Sequence, residues 1–309
     1  MTTLDSRLAG TLSPVLTPFN ADGTVCPRRF IEHCERLLEQ DVGLALFGTN
    51  SESASMTLSE KRKLLEALHA ANLPPERMLV GVGACALAEV IELTQAALAG
   101  GSSSVLMVPP FYYKGVSDEG LFRSVAQVIE TIGDARLRIY LYHIPTVSQV
   151  PFSLPLIARL LTAYPGVIAG IKDSSGDLKH ALSLLREFRN AGFDVFAGSE
   201  THLVEMMRAG CAGVISATAN VNGAAIARLC HRWEAVDGQA EQDAANRLRA
   251  AFARFAMIPA MKAATAAQFD DPVWTRVRAP LVELQAEQQQ SLLKELTALG
   301  FYTRQELPA

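Results

Sequence analysis

Eight short apolar runs rich in β-branched residues recur along this chain: "GTLSPVLTPF", "VGLALFG", "MLVGVG", "SVLMVPP", "RIYLYHI", "GVIAGIKD", "DVFAGS" and "AGVISATA". Their apolar character is near-continuous rather than alternating. Each therefore reads as a strand covered on both faces, the pattern of a parallel sheet flanked by helices. The longer segments between them place apolar residues every three to four positions, as in "RRFIEHCERLLEQ", "LSEKRKLLEALHAA", "LAEVIELTQAALAG" and "LPLIARLLTAYP". Strand and helix alternate throughout, which predicts an α/β fold. Eight such units over about 230 residues match a closed (β/α)8 TIM barrel of about 250 residues. An open doubly wound sheet is the competing architecture. It advertises a GxGxxG or P-loop after its first strand, and "LTPFNADGTV" has neither. From about Asn222 onward the pattern turns wholly helical. The expected organisation is a barrel over residues 1–230 with a C-terminal helical extension over 231–309, packed on the barrel or on a neighbouring subunit.

With 309 residues, 49% of them apolar, the chain can bury a large core. A net charge of −4 and a pI near 5.9 provide no basic surface for phosphates, so nucleic acid is not an expected partner. Asp5 and Arg7 fall where a signal peptide would need its apolar core. No later run reaches the roughly 18 apolar residues of a bilayer span. A cytoplasmic protein without a membrane partner is the expectation. The five cysteines, Cys26, Cys34, Cys85, Cys211 and Cys230, are odd in number and scattered, and read as buried free thiols. The six histidines form no HExxH or HxH cluster, so no metal site is expected.

Lys172 closes the sixth run, at the end of the strand where a barrel keeps its active site. Period-two alternation places it on the face of Gly170 and Ile168, so an inward Lys172 would have glycine beneath it and room for a substrate. A desolvated amine there is available as a nucleophile toward a carbonyl, and the chemistry implied is a Schiff base. The alternative is an ordinary ion pair with Asp173 or Asp177. On the fifth strand Tyr140 and Tyr142 share one face, with Leu141 and a structural His143 on the other. Tyr142 lies near the same rim, where a phenol either relays protons or is a core tyrosine with a satisfied hydroxyl. After the second strand, "GTNSES" offers backbone N–H groups and the side chains of Thr49, Asn50 and Ser51 to a carboxylate, or serves as a capping loop with Thr57 or Ser59 as helix cap.

These residues together resemble the dihydrodipicolinate synthase and N-acetylneuraminate lyase family, Schiff-base aldolases and lyases acting on pyruvate or 2-oxo acids. The matching pieces run in family order from about residue 10 to 280: "GTNSE", "PPFYYK", "YHIP", "GIKDSSGD", "GVISATANV" and "WTRVRAPL". The resemblance implies that Lys172 is the Schiff-base lysine and Tyr142 the proton-relay tyrosine, with no cofactor beyond the covalent imine. Tyr113 matches the tyrosine that crosses a dimer interface to complete the neighbour's relay. Thr49 and Asn50 occupy the positions that hold the pyruvyl carboxylate, and Ile215 resembles the residue whose carbonyl lines the pocket. A homotetramer built as a dimer of dimers is implied.

Three positions depart from the family pattern. Asn50 stands where many members have the relay threonine, Ser51 replaces the loop glycine, and Val147 falls where dihydrodipicolinate synthases carry an arginine for a second carboxylate. The expected activity is a class I aldolase or lyase on pyruvate or a 2-oxo acid. A carbon–carbon lyase, or a carbon–oxygen lyase acting as a dehydratase, on a 2-keto-3-deoxy sugar acid or related 2-oxo acid is favoured over dihydrodipicolinate synthesis. A true dihydrodipicolinate synthase, or a keto-acid-binding barrel with turnover weakened at Asn50, are the alternatives. Acceptor contacts are expected in the loops holding Val147 and, in "GSETH", Ser199.

Overall fold

All eight apolar runs become strands of one closed parallel barrel: β1 (Gly10–Pro14), β2 (Gly43–Leu46), β3 (Met78–Gly81), β4 (Ser104–Met107), β5 (Arg138–His143), β6 (Ile168–Asp173), β7 (Asp194–Ala197) and β8 (Gly213–Ile215). The strands follow chain order, and β8 closes on β1 through Gly10↔Gly213 and Leu12↔Ile215. The structure, a computed structural model, describes residues 7–301; Asp5 and the other terminal positions lie outside the described residues. The strands are linked through α1 (Pro27–Glu39), α2 (Leu58–Ala70), α3 (Leu87–Ala99), α4 (Asp118–Ile132), the short α5 (Pro145–Ser148), α6 (Leu154–Ala163), α7 (Leu178–Phe188) and α8 (Leu203–Arg208). Then come α9 (Ala219–Arg232), α10 (Gly238–Ala253), α11 (Met257–Phe269) and α12 (Ala286–Ala298). The chain is a (β/α)8 TIM barrel with a C-terminal helical layer. The 230/231 division falls inside α9, and Leu16 and Val221 of the barrel belong to the same apolar cluster as α10, α11 and α12.

Each outer helix turns one stripe inward. In α1 the buried residues are Phe30, His33, Cys34 and Leu37, spaced for one helical face. Between strands and helices the core is built from residues such as Leu44, Leu141, Ile168 and Ile171, while the barrel interior holds a separate cluster that includes Leu12, Tyr140, Tyr142, Ala169 and Phe196.

Strand β6 departs from strict alternation. Ile139 pairs with Ile168 but Tyr140 pairs with Gly170, so Ala169 is an extra residue opposite β5. Ile168 consequently faces the helices, and Ala169 enters the interior. The expectation that Ile168 shares a face with Lys172 is corrected, because the bulge reverses the alternation between them. Nor does Gly170 leave space for a substrate. A Cβ there would come within 2.8 Å of the Tyr140 ring and collide with the Asp194 carbonyl, so glycine makes room for Tyr140. Four cysteines are buried free thiols, whereas Cys85, in the loop between β3 and α3, is exposed.

Asn220 ties β1 to the start of α9. Its amide Nδ2 donates to the Pro14 and Ala217 carbonyls, and its Oδ1 accepts from the Leu16 amide and, at 3.0 Å, from His33 Nε2–H. His33 is enclosed edge-on by Trp274 and Phe269. Burial away from water holds this imidazole down at about 4, with the hydrogen bond to Asn220 opposing the shift and the Arg36 charge adding to it. Below the ordinary imidazole value the unfolded chain takes up a proton that the folded chain refuses. Stability therefore falls as pH drops from about 6.5 toward 4. Chemical denaturation across that window should show the unaltered protein losing up to about 3 kcal/mol relative to His33→Gln, whose amide can still donate to Asn220. Parallel pH profiles for the two proteins would show that His33 is not the group responsible.

Candidate active site

Lys172 and Tyr142 are register partners on β6 and β5. Both side chains point into the barrel mouth and both are buried, at 3% and 5% exposure. The Lys172 Nζ lies 4.3 Å from the centre of the Tyr142 ring. Among the described residues no carboxylate reaches ion-pair distance of Nζ, so the alternative of an ordinary pair with Asp173 or Asp177 does not hold. Asp173 is engaged by His180 at 2.8 Å and by the Ser175 amide. Asp177 caps α7 by accepting from the Lys179 and His180 amides.

The Tyr142 hydroxyl and Thr49 Oγ1 share a hydrogen bond of 3.2 Å. Burial pushes the phenol up, but the Lys172 ammonium and hydrogen bonds with Thr49, Lys172 and Ser174 outweigh it and hold Tyr142 below its ordinary value. A phenol stabilised toward its anion beside an amine is equipped to accept and return a proton. The hydroxyl that meets Tyr142 belongs to Thr49, so the expectation that Asn50 interrupts a relay at this point is corrected. Asn50 is one residue further along the loop and its side chain lines the cavity instead.

The loop itself is a tight 3-10 turn over Thr49–Ser51. The amides of Ser51, Glu52 and Ser53 are consumed inside it by the carbonyls of Gly48 and Thr49. Those of Thr49 and Asn50, at the start of the turn, meet no acceptor among the described residues. Thr57, not Ser59, is the helix cap, closing a capping box with Glu60 at the start of α2. From the far side, Glu52, in a left-handed backbone conformation, forms a fully buried ion pair with Lys262 of α11 and accepts from the Arg278 amide. Lys262 also donates to the Arg276 carbonyl. Burial brings the Lys262 ammonium down to about 8 despite the opposing pull of Glu52. The C-terminal layer thus clamps the loop that carries Thr49 and Asn50.

A cavity of about 620 Å³ opens above Lys172, and Thr49, Asn50, Tyr142, Val147 and Ser199 all line it. Val147 is 61% exposed on α5 at the rim. Ser199 is turned toward its own loop, sharing a 2.8 Å hydrogen bond with Thr201. Two expected residues send their side chains elsewhere. That of Ile215 packs inside the barrel cluster, and Ala217, two positions on, lines the cavity. Tyr113 is 70% exposed in the loop between β4 and α4, edge-on to Tyr112, and does not line its own chain's cavity.

Three features were not foreseen. His143, Asp173 and His180 bring ligand-type atoms within 4.8 Å of one another, although the histidines form no cluster in sequence. Their rings stack at 4.5 Å and 15°, so the nitrogen lone pairs lie in near-parallel planes rather than converging on one point. His143 Nδ1 already accepts from the Phe152 amide. The hydrogen bond to Asp173 raises His180, and burial lowers His143. This group props β5 and β6 against α7 directly behind Lys172. The second feature is Arg249 of α10, which lines the cavity although it comes from the C-terminal layer. The third is Glu200, buried beside β8 and accepting from the hydroxyls of Ser216 and Thr218. Gln242 and Arg249 are seven positions apart on one helical face, but Arg247 and Arg254 stand close by in sequence, so spacing alone could not single Arg249 out.

Among the described residues no helix is long and apolar enough to cross a membrane. The model of the Dihydrodipicolinate synthetase family matches residues 7–299. An uncharacterized DapA-like lyase from Chloroflexus aurantiacus is 30% identical over 291 residues, covering 90% of this chain and 93% of that protein. A 4-hydroxy-tetrahydrodipicolinate synthase from Thermus thermophilus is 33% identical over 241 residues, covering 76% and 77% of the two chains. The crystal structure of dihydrodipicolinate synthase from Agrobacterium tumefaciens superposes with a TM-score of 0.86 at 34% identity, covering 94% of this chain and 99% of that one. A matched family model over nearly the whole chain, on a closed barrel with an amine and a phenol meeting at its mouth, establishes that this chain belongs to the dihydrodipicolinate synthetase family of aldolases and lyases.

Proposed function

We propose that the protein is a class I aldolase or lyase in which Lys172 forms an imine with pyruvate or another 2-oxo acid. The observation that carries this reading is a buried lysine with no carboxylate partner among the described residues, 4.3 Å from the ring of a tyrosine whose hydroxyl is already hydrogen-bonded to Thr49. In the proposed reaction the Lys172 amine adds to the C2 carbonyl, and the resulting carbinolamine loses water to give the imine. With the imine as electron sink, the bond from C3 to C4 breaks and an aldehyde leaves, or, in the reverse direction, C3 loses a proton and attacks an aldehyde. Tyr142 takes up and returns the protons, Thr49 and Asn50 hold the carboxylate, and hydrolysis of the imine frees the amine. No metal or organic cofactor is needed.

Borohydride reduction with pyruvate should add a pyruvate-derived mass to the Lys172 peptide. Tyr142→Phe should still form the adduct but turn over roughly 10²–10⁴-fold more slowly. An unmodified Lys172, together with full activity in Lys172→Ala, would refute the reading. A protein that traps pyruvate but releases no product from any 2-oxo acid would instead be a keto-acid-binding barrel.

Tyr113, exposed and outside its own cavity, is assigned to the relay of a second copy within a homotetramer. Coexpressing Tyr113→Phe chains with Lys172→Ala chains should then restore activity, because each mixed dimer rebuilds one complete site. Mixed dimers as inactive as either variant alone would refute the reach of Tyr113 across the interface, and a Tyr113→Phe protein of full activity would remove it from the mechanism.

The substrate is proposed to differ from that of dihydrodipicolinate synthase, with 2-keto-3-deoxy sugar acids and related 2-oxo acids favoured. At the position where dihydrodipicolinate synthases carry their arginine, Val147 presents an apolar side chain, and none of Arg186, Arg189, Arg276 and Arg278 lines the cavity; the arginine that does, Arg249, stands on a different wall. An acceptor carboxylate placed against Val147 loses about 1–3 kcal/mol. In coupled assays with pyruvate, aspartate semialdehyde should have a lower specificity constant than at least one other aldehyde in a panel of hydroxylated and acidic acceptors. Should it prove the best acceptor, the assignment from position 147 is wrong.

A further inference from the structure

We propose that Arg249 is a specificity-determining residue that holds a second carboxylate at the far end of the substrate, which narrows the sugar-acid and related 2-oxo acids proposed above to those carrying a second carboxylate; this rests on the reading of Lys172 as the group that receives the 2-oxo carbonyl. Helix α10 buries Leu248, Ala251 and Phe252 in the C-terminal core. That leaves Gln242, Arg249 and Ala253 on a face turned to the barrel, and the last two line the cavity. Gln242 fixes the helix: its Nε2 donates to the Glu200 carbonyl at 2.7 Å and its Oε1 accepts from the Val204 amide at 2.9 Å. Arg249 is therefore presented from a rigid element to the side of the mouth formed by the ends of β7 and β8.

Its guanidinium is anchored at one corner. Nη1 donates to Ser216 Oγ at 3.3 Å and lies 3.7 Å from a Glu200 oxygen. Glu200 is satisfied by the hydroxyls of Ser216 and Thr218, so it orients Arg249 by charge without using up its donors. Nε and Nη2 meet no acceptor among the described residues, and the side chain is 23% exposed. The acids lining the cavity do not compete, because Asp173 is held by His180 and Asp177 caps α7. A planar, permanently charged fork with two free edges matches a carboxylate, and the wall bearing Val147 offers no such contact. Lys172 and Arg249 are the lysine and arginine side chains that line this cavity.

Isothermal titration of the full chain with 2-oxoglutarate and 2-oxopentanoate tests this, since the two match in chain length and differ in the terminal carboxylate. The unaltered protein should bind 2-oxoglutarate roughly tenfold or more tightly, the effect of one charge-assisted contact. Arg249→Ala should abolish the preference, and Arg249→Lys should keep part of it, retaining charge without the fork. Arg249→Gln, which still donates to Ser216, stands in should the alanine variant fail to fold. Equal affinity in the unaltered protein, or a preference that survives in Arg249→Ala and Arg249→Gln, would overturn the proposal. Borohydride trapping with the same ligands separates the two readings: a strong preference for 2-oxoglutarate with nothing trapped at Lys172 would refute the imine and leave the role of Arg249 standing.

Discussion

The extra residue in β6 decides which way Lys172 points. Ile168 faces the helices, and by strict alternation Gly170 and Lys172 would face them too. Ala169, inserted opposite the Ile139–Tyr140 step, reverses the alternation and turns Lys172 into the barrel. Once there, the amine is buried beside Tyr142 with no carboxylate of the described residues in reach, and Tyr140 fills the floor below it through the gap that Gly170 leaves. A barrel interior has space for few side chains, so this one local irregularity sets the floor and the direction of Lys172 together.

The C-terminal layer is part of the site rather than a cover over finished machinery. Lys262 of α11 neutralises Glu52 from behind and so fixes the loop carrying Thr49 and Asn50. Losing one partner of such a buried pair leaves an uncompensated charge, typically at a cost of about 3–5 kcal/mol. On the other side of the mouth, α10 is pinned by Gln242 and delivers Arg249. Loops at a barrel's C-terminal end are intrinsically mobile, and both clamps replace mobility with hydrogen bonds to helices.

Behind Lys172, the acidic groups nearest in sequence are engaged elsewhere. Asp173 is adjacent to Lys172 in sequence but faces α7, where hydrogen bonds from His180 and Ser175 overcome the effect of burial and hold its carboxyl below its ordinary value. The same pairing raises His180 and keeps the negative charge occupied. Lys172 is thus left with the Tyr142 ring and hydroxyl as its principal neighbour, at the floor of the cavity.

Sequence alone determined the architecture, because near-continuous apolar strands alternating with amphipathic helices have few ways to bury both faces, and the eight runs all became barrel strands. It also marked Lys172, Tyr142 and the loop of Thr49 and Asn50, since unusual side chains at strand ends stand out against an apolar background. What it could not determine were features that depend on residues distant along the chain. The bulge at Ala169 exists only relative to β5, and Thr49 rather than Asn50 meets Tyr142 because of how a 3-10 turn folds. The stacked histidines lie 37 positions apart, and Arg249 reaches the cavity only because Gln242 docks α10 against the segment after β7. Periodicity reports which face of an element is apolar, but only the packed structure decides which polar side chains meet across elements, because that depends on register, local turns and helix docking.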